Sequence, residues 1–233
     1  MHRSRRYNET IKMVDRNRRY SLNEALDLLL KMPKARFDET VEFAFTLGID
    51  PKKSDQMVRG TVVLPNGTGK KVKVLVIAQG DDAKAAQEAG ADYVGYKELI
   101  DKIAGGWIDF DVIIAAPETM RDLGRLGKML GPKGLMPSPK TGTVTKNVGQ
   151  AVKEVKAGKI GFKMDKNANL HIPIGKASFS MEALMGNGVA VIDSVLKAKP
   201  ISAKGQYIKS FALTSTMCPG IKLDLKEIAS LAR

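Results

Sequence analysis

The spacing of apolar residues along the chain changes three times, and each change predicts a different kind of element. Leu22, Ala25, Leu26, Leu29 and Leu30 fall on one helical stripe behind Ser21, whose run SLNE sets Glu24 three positions on as in a capping box; Pro33 closes the helix. From 37 to 47 the period shortens to two. Val41, Phe43, Phe45 and Leu47 alternate with Thr40, Glu42, Ala44 and Thr46, the signature of a half-buried strand. A turn over 50–55 and a short strand over 60–64 follow, and then Pro65, Asn66, Gly67, Thr68 and Gly69 form a flexible break.

Between that break and Gly158, strands and helices alternate. Residues 72–78 and 112–116 are continuous apolar runs suited to strands buried on both faces, with a shorter strand over 92–94. Residues 83–89, 97–103 and 147–156 read as helices, so this stretch is expected to be an α/β layer domain with a parallel sheet. After Gly158 the style returns to α+β. Ile160, Phe162 and Met164 alternate with Lys163 and Asp165, and Leu170, Ile172 and Ile174 with His171 and Pro173, across a turn at 166–169; the two runs predict a hairpin. A helix over 181–197 is weakened by Gly186 and Gly188, and a last strand over 207–217 ends at Pro219 and Gly220, before a short amphipathic tail.

The terminal segments are each small for a core of their own and match in style. The expected architecture is therefore a split α+β domain, residues 1–67 and 159–233, carrying an inserted three-layer, Rossmann-like α/β domain, residues 68–158. Two glycine-bearing crossings near Gly67 and Gly158 suit either a hinge or two ordinary turns.

Charge narrows the partners. Lysine and arginine number 38 against 25 acids, a net charge of +13, which favours a polyanion, most commonly nucleic acid. An anionic membrane is the competitor, yet no apolar run approaches the ~20 residues of a spanning helix. The first twenty residues carry Arg3, Arg5, Arg6, Lys12, Arg16, Arg18 and Arg19 against Glu9 and Asp15, and read either as a solvated helix or as a phosphate-contacting arm. They lack the apolar core of a signal peptide, so a cytoplasmic protein is expected, or a processed organellar one. Cys218 is the only cysteine, which excludes an intramolecular disulfide.

Catalysis finds little support. With only His2 and His171, a histidine metal cluster is not expected, and no cofactor is implied. NGTGKK over 66–71 echoes a phosphate loop, but Leu64 and Pro65 stand where the first glycine belongs and Lys71 replaces the hydroxyl. A nucleotide-dependent enzyme is thus the weaker reading, as is a non-specific RNA chaperone. Strand parity places Thr40, Glu42, Lys163, His171, Ser210, Thr214 and Thr216 opposite the apolar residues, a polar face that is either hydrated or bound to RNA.

One further stretch is chemically distinctive. GRLGKMLGPKGLMPSPKTGTVT, from Gly124 to Thr145, interleaves glycines with Arg125, Lys128, Lys133 and Lys140, and its prolines predict a stiff, basic, irregular loop. It suits phosphates, or serves only to close the α/β domain. This segment resembles the central motif of the large-subunit ribosomal protein family "L one", which forms the mobile stalk beside the tRNA exit site. KARFDETVEFAFTLGIDPKKSDQMVRG from Lys34, GADYVG from Gly90, GWIDF from Gly106 and AKGQYIKSFALTSTMCPG from Ala203 resemble other motifs of the same family, in its order.

The resemblance implies a non-catalytic protein, a monomer when free, that binds the stalk helices of 23S rRNA in the large ribosomal subunit. It further implies help in releasing deacylated tRNA from the exit site, and translational repression through the protein's own operon mRNA. The family's RNA contacts carry over onto Arg36, Phe37, Thr40 and Glu42, onto Lys163, Asp165 and His171, and onto Ser215, Thr216, Met217 and Gly220. Lys133 and Lys140 are candidates for a second contact. Where the family reads T-M-G this chain has Thr216, Met217 and Cys218, so a side chain stands where glycine allows close backbone approach.

Overall fold

The computed structural model describes residues 3–227. His2 and the end of the expected tail lie outside them. Helices α1 (Arg5–Met13) and α2 (Leu22–Lys31) precede strands β1 (Thr40–Leu47) and β2 (Arg59–Val63). Then come β3 (Val74–Ile77), α3 (Asp81–Glu88), β4 (Tyr93–Gly95), α4 (Lys97–Ala104) and β5 (Val112–Ala115), the short helices α5 (Met120–Leu123) and α6 (Gly127–Leu130), and α7 (Val148–Lys156). β6 (Lys159–Lys163), β7 (Asn169–Lys176), α8 (Met181–Lys197), β8 (Ile208–Ser215) and β9 (Ile221–Lys222) follow. The chain divides into two units, Met1–Gly69 with Ile160–Arg233, and Lys70–Lys159.

In the split unit the period-two strand becomes the middle of an antiparallel sheet of order β7-β1-β8-β9. Its inward residues Phe43, Phe45 and Phe211 pack ring on ring, with centroids 4.4 to 5.9 Å apart. They join Leu170, Ile172 and Leu213 in one core with Leu26 and Leu29 of α2 and with Val191 and Val195 of α8. Ser21 caps α2 as its spacing to Glu24 predicts, its Oγ accepting from the Glu24 N–H at 3.2 Å. The Glu24 carboxylate turns instead to Arg18 at 2.9 Å, so only half of the capping box forms.

Two expectations are corrected here. The runs over 160–174 do not pair as a hairpin: β6 joins β2 in a two-stranded sheet, whereas β7 joins β1. Alternation shows that a strand exists and which face is apolar, but not its partner. The turn between the runs, with Ala168 at φ 62°, sends the chain from one sheet to the other. The break over 65–69 is also less free than its composition suggests. The buried Asn187 side chain accepts from the Asn66 N–H at 2.9 Å and donates to the carbonyls of Gly67 (3.0 Å) and Ile174 (2.7 Å).

The unit Lys70–Lys159 holds a parallel sheet of order β4-β3-β5. Its strands are apolar on both faces because both are covered. Val74, Val76 and Ile114 meet Ala86 of α3 and Val148 and Val152 of α7, while Leu75, Ile77 and Ile113 meet Leu99, Ile103, Leu123 and Leu130. The segment from Gly124 is not irregular throughout: a 3₁₀ turn over Gly124–Leu126 and α6 precede Pro132, and Leu123, Leu126 and Leu130 are buried at helical spacing. Beyond Pro132 the chain is irregular apart from a 3₁₀ turn over Pro139–Thr141, and Val144 then bridges Ala115 as a parallel extension of the sheet.

Candidate nucleic-acid interface

The end of β1 at Thr40 is organised by the residue before it. Glu39 has the inward parity of Val41 and Phe43 and is only 1% exposed. A buried carboxylate is costly unless its oxygens are bonded, and these are. Oε1 accepts from the Ala35 N–H at 2.7 Å and from Arg6 Nη1 at 3.2 Å; Oε2 accepts from Ser215 Oγ at 2.6 Å and the Met217 N–H at 3.1 Å. Burial pushes the Glu39 pKa up, but the bonds from Ser215, Ala35 and Met217 and the Arg6 charge outweigh it and hold the carboxyl below its ordinary value. Arg6 also donates to the carbonyls of Pro33 (3.3 Å) and Met217 (3.4 Å). One carboxylate thus ties α1, the loop before β1 and the loop after β8 together.

Around this hub the side chains point outward. Phe37 is 53% exposed and Met217 47%, against the normal burial of such residues, with Arg36, Thr216 and Gly220 exposed as well. Thr216 is fixed to β1, its N–H donating to the Thr40 carbonyl at 3.1 Å and its Oγ1 accepting from the Thr40 N–H at 3.0 Å. The Thr40 hydroxyl accepts from Lys176 Nζ at 2.9 Å. The outward face of the sheet continues as a polar strip: Glu42 lies opposite Thr214 and Pro173, Ala44 opposite Ala212 and the exposed His171, Thr46 opposite Ser210 and Asn169.

Arg36, Phe37, Thr40, Glu42, Thr216, Met217 and Gly220 therefore gather at one end of the sheet. Asp165 does not join them: it sits beside Asn169, paired with Thr46, about 20 Å along the strand at ~3.4 Å per residue. Its Oδ1 accepts from the N–H groups of Asn169 (2.7 Å) and Asn167 (2.8 Å), the Asn169 bond being the chief reason its pKa is lowered, so it shapes the turn. Lys163 is exposed on β6, in the two-stranded sheet. Ser215 turns inward, 4% exposed with its hydroxyl on Glu39. Parity signalled this, since 215 shares the face of Phe211 and Leu213. Cys218 likewise leans inward, its Sγ 3.8 Å from Glu39 Oε2, and burial raises its pKa. In the other unit, Lys133 and Lys140 are both exposed; Gly142, at φ 65°, ends the turn that presents Lys140.

Glu39 and Arg6 were not among the residues singled out in the sequence. The available signal for Glu39 was an acid at an apolar parity position; Arg6 carried none beyond its membership of a basic run. Among the described residues no group of three or more His, Cys, Asp or Glu side chains is placed to hold a metal ion. Nor is any described helix long and apolar enough to cross a membrane.

Residues 29–219 match the model of the ribosomal protein L1p/L10e family. The chain belongs to that family. The match covers β7, β1 and β8 of the sheet and the whole of the unit Lys70–Lys159, and takes in Arg36, Phe37, Glu39, Thr216 and Met217, whereas α1 with Arg6 and β9 lie outside it. As an L1p/L10e-family member the protein is a ribosome-associated, rRNA-binding structural component of the large subunit, and the family implies a non-enzymatic role.

Proposed function

We propose that this L1p/L10e-family protein binds the stalk helices of 23S rRNA through the Thr40 end of the split unit's sheet. The observation that carries this is the pair of exposed apolar side chains, Phe37 and Met217, held beside Arg36 by a buried and fully bonded Glu39. Such a rigid apolar and cationic edge packs on base and sugar faces while its charge neutralises phosphate. Thr216 and Glu42 are placed to bond ribose hydroxyls or base amino groups. His171 extends the contact along the strip, Lys163 adds a cation from the two-stranded sheet, Asp165 and Ser215 shape the strip's two ends, and Lys133 and Lys140 supply a second phosphate contact from the other unit. The split unit acts as the rRNA-binding domain, with the unit Lys70–Lys159 as the insertion. On cytoplasmic ribosomes the bound protein assists release of deacylated exit-site tRNA, and the free monomer uses the same surface to repress its own operon mRNA.

The test is the affinity for a stalk-rRNA fragment and for a scrambled RNA of equal length, across a salt series, with Thr216→Ala and Met217→Ala alongside. Wild-type protein is expected to prefer the stalk fragment about a thousandfold, and both variants to erase most of that preference. Both RNAs should show a log–log salt slope of roughly 0.7 to 0.9 per neutralised phosphate. Equal affinity for the two RNAs, unchanged in the variants, would leave net charge as the only source of binding and refute the assigned surface.

A further inference from the structure

Beside Gly220 lies a pocket of about 300 Å³, at the lower end of the ~300–1,000 Å³ typical of ligand sites. Tyr7 and Ile11 of α1 line it together with Pro219 and Gly220, and the cations Arg16 and Lys222 line it as well. Among the described residues no carboxylate lines it. Its walls are held in place. Arg6 fastens α1 to Glu39 and to the Met217 carbonyl; Thr10 and Val14 are buried; the Asp15 N–H donates to the Tyr20 hydroxyl at 2.9 Å; and the Tyr20 N–H donates to the Lys222 carbonyl at 2.9 Å. The Arg3 guanidinium lies 5.2 Å from the centre of the Tyr7 ring, adding a third cation.

An aromatic and aliphatic wall with cations at its edge and no opposing acid suits a planar, uncharged ring attached to a phosphate. We infer that this pocket is a site for one unpaired nucleotide of the bound RNA, its base against Tyr7 and Ile11 and its phosphates on Arg16 and Lys222. The inference rests on the RNA-binding reading above and deepens it. Gly220 belongs both to the proposed contact edge and to the pocket, so the two are continuous. Of the lining residues only Pro219 falls within the matched span 29–219; Tyr7, Ile11, Arg16, Gly220 and Lys222 lie outside it.

Ile11→Phe fills the pocket from a half-exposed position, and Arg16→Gln removes an exposed charge. Both are measured against the stalk fragment and the scrambled RNA, with thermal unfolding as the control for folding. Ile11→Phe should lower affinity for the stalk fragment about tenfold and leave the scrambled RNA unaffected, as expected for the loss of one stacked base. Arg16→Gln should reduce the salt slope by about one phosphate. If stalk affinity and salt slope are unchanged in folded variants while Thr216→Ala still abolishes preference, the pocket is no RNA site and the contact edge stands. If wild-type protein shows no preference for the stalk fragment, the RNA-binding reading fails and takes this inference with it.

Discussion

Glu39 shows how much of a binding edge rests on a residue that never faces the ligand. Removing it in Glu39→Ala leaves the N–H groups of Ala35 and Met217 and the Ser215 hydroxyl without their acceptor and Arg6 without its counter-charge. The expected cost in urea unfolding is about 3 kcal/mol, toward the lower end for a broken buried pair because Arg6 keeps some access to water. The sign of the pH effect follows from the lowered pKa. Glu39 ionises more readily in the folded protein than in the unfolded chain, so its stabilisation is complete above the ordinary value of 4.5 and is lost as pH falls from there through the folded value. Wild-type and Glu39→Gln stabilities should therefore differ at pH 7 and converge below pH 4.5. A constant difference across that range would assign the stabilisation to shape rather than charge.

At the scale of elements, α8 overturns a simple propensity argument. Gly186 and Gly188 weaken a helix taken alone, yet the helix runs unbroken over Met181–Lys197. A Cβ on residue 188 would sit 3.1 Å from the Phe43 ring, which is itself locked against Phe45 and Phe211. Gly188→Ala should consequently lower stability by about 1 kcal/mol or more despite its better helix propensity, an outcome readable as a lower thermal midpoint. The periodicities of α2, β1 and α8 were legible in the sequence because one face of each is buried in a single core. The pairing of β6 with β2 was not, since a strand's alternation is the same whichever neighbour it takes. The helical turns over 120–130 hid behind prolines that begin only at Pro132. In the site, Phe37 and Met217 came from the family motif, because nothing in a phenylalanine or methionine alone tells a core from an exposed edge. Parity would have found Glu39 and turned Ser215 inward.

For the whole molecule, the Glu39 hub, the polar strip and the pocket beside Gly220 all belong to the split unit. A chain in which Gly69 is joined to Ile160 through a short glycine linker, omitting residues 70–159, is expected to keep its preference for the stalk fragment while losing at least one phosphate from its salt slope, from Lys133 and Lys140. Loss of the preference itself would move the principal contact to the omitted unit. The sheet order also carries a consequence for synthesis. β1 is translated early, but the strands on either side of it, β7 and β8, end only at Lys176 and Ser215. At roughly 5–20 residues per second a nascent chain spends about 6–26 s with the Phe43 and Phe45 strand lacking both neighbours. Over that interval both edges of the strand are unpaired. The Thr216 and Met217 loop, made after β8 and closed onto Glu39, makes RNA recognition a property only of a chain translated past it.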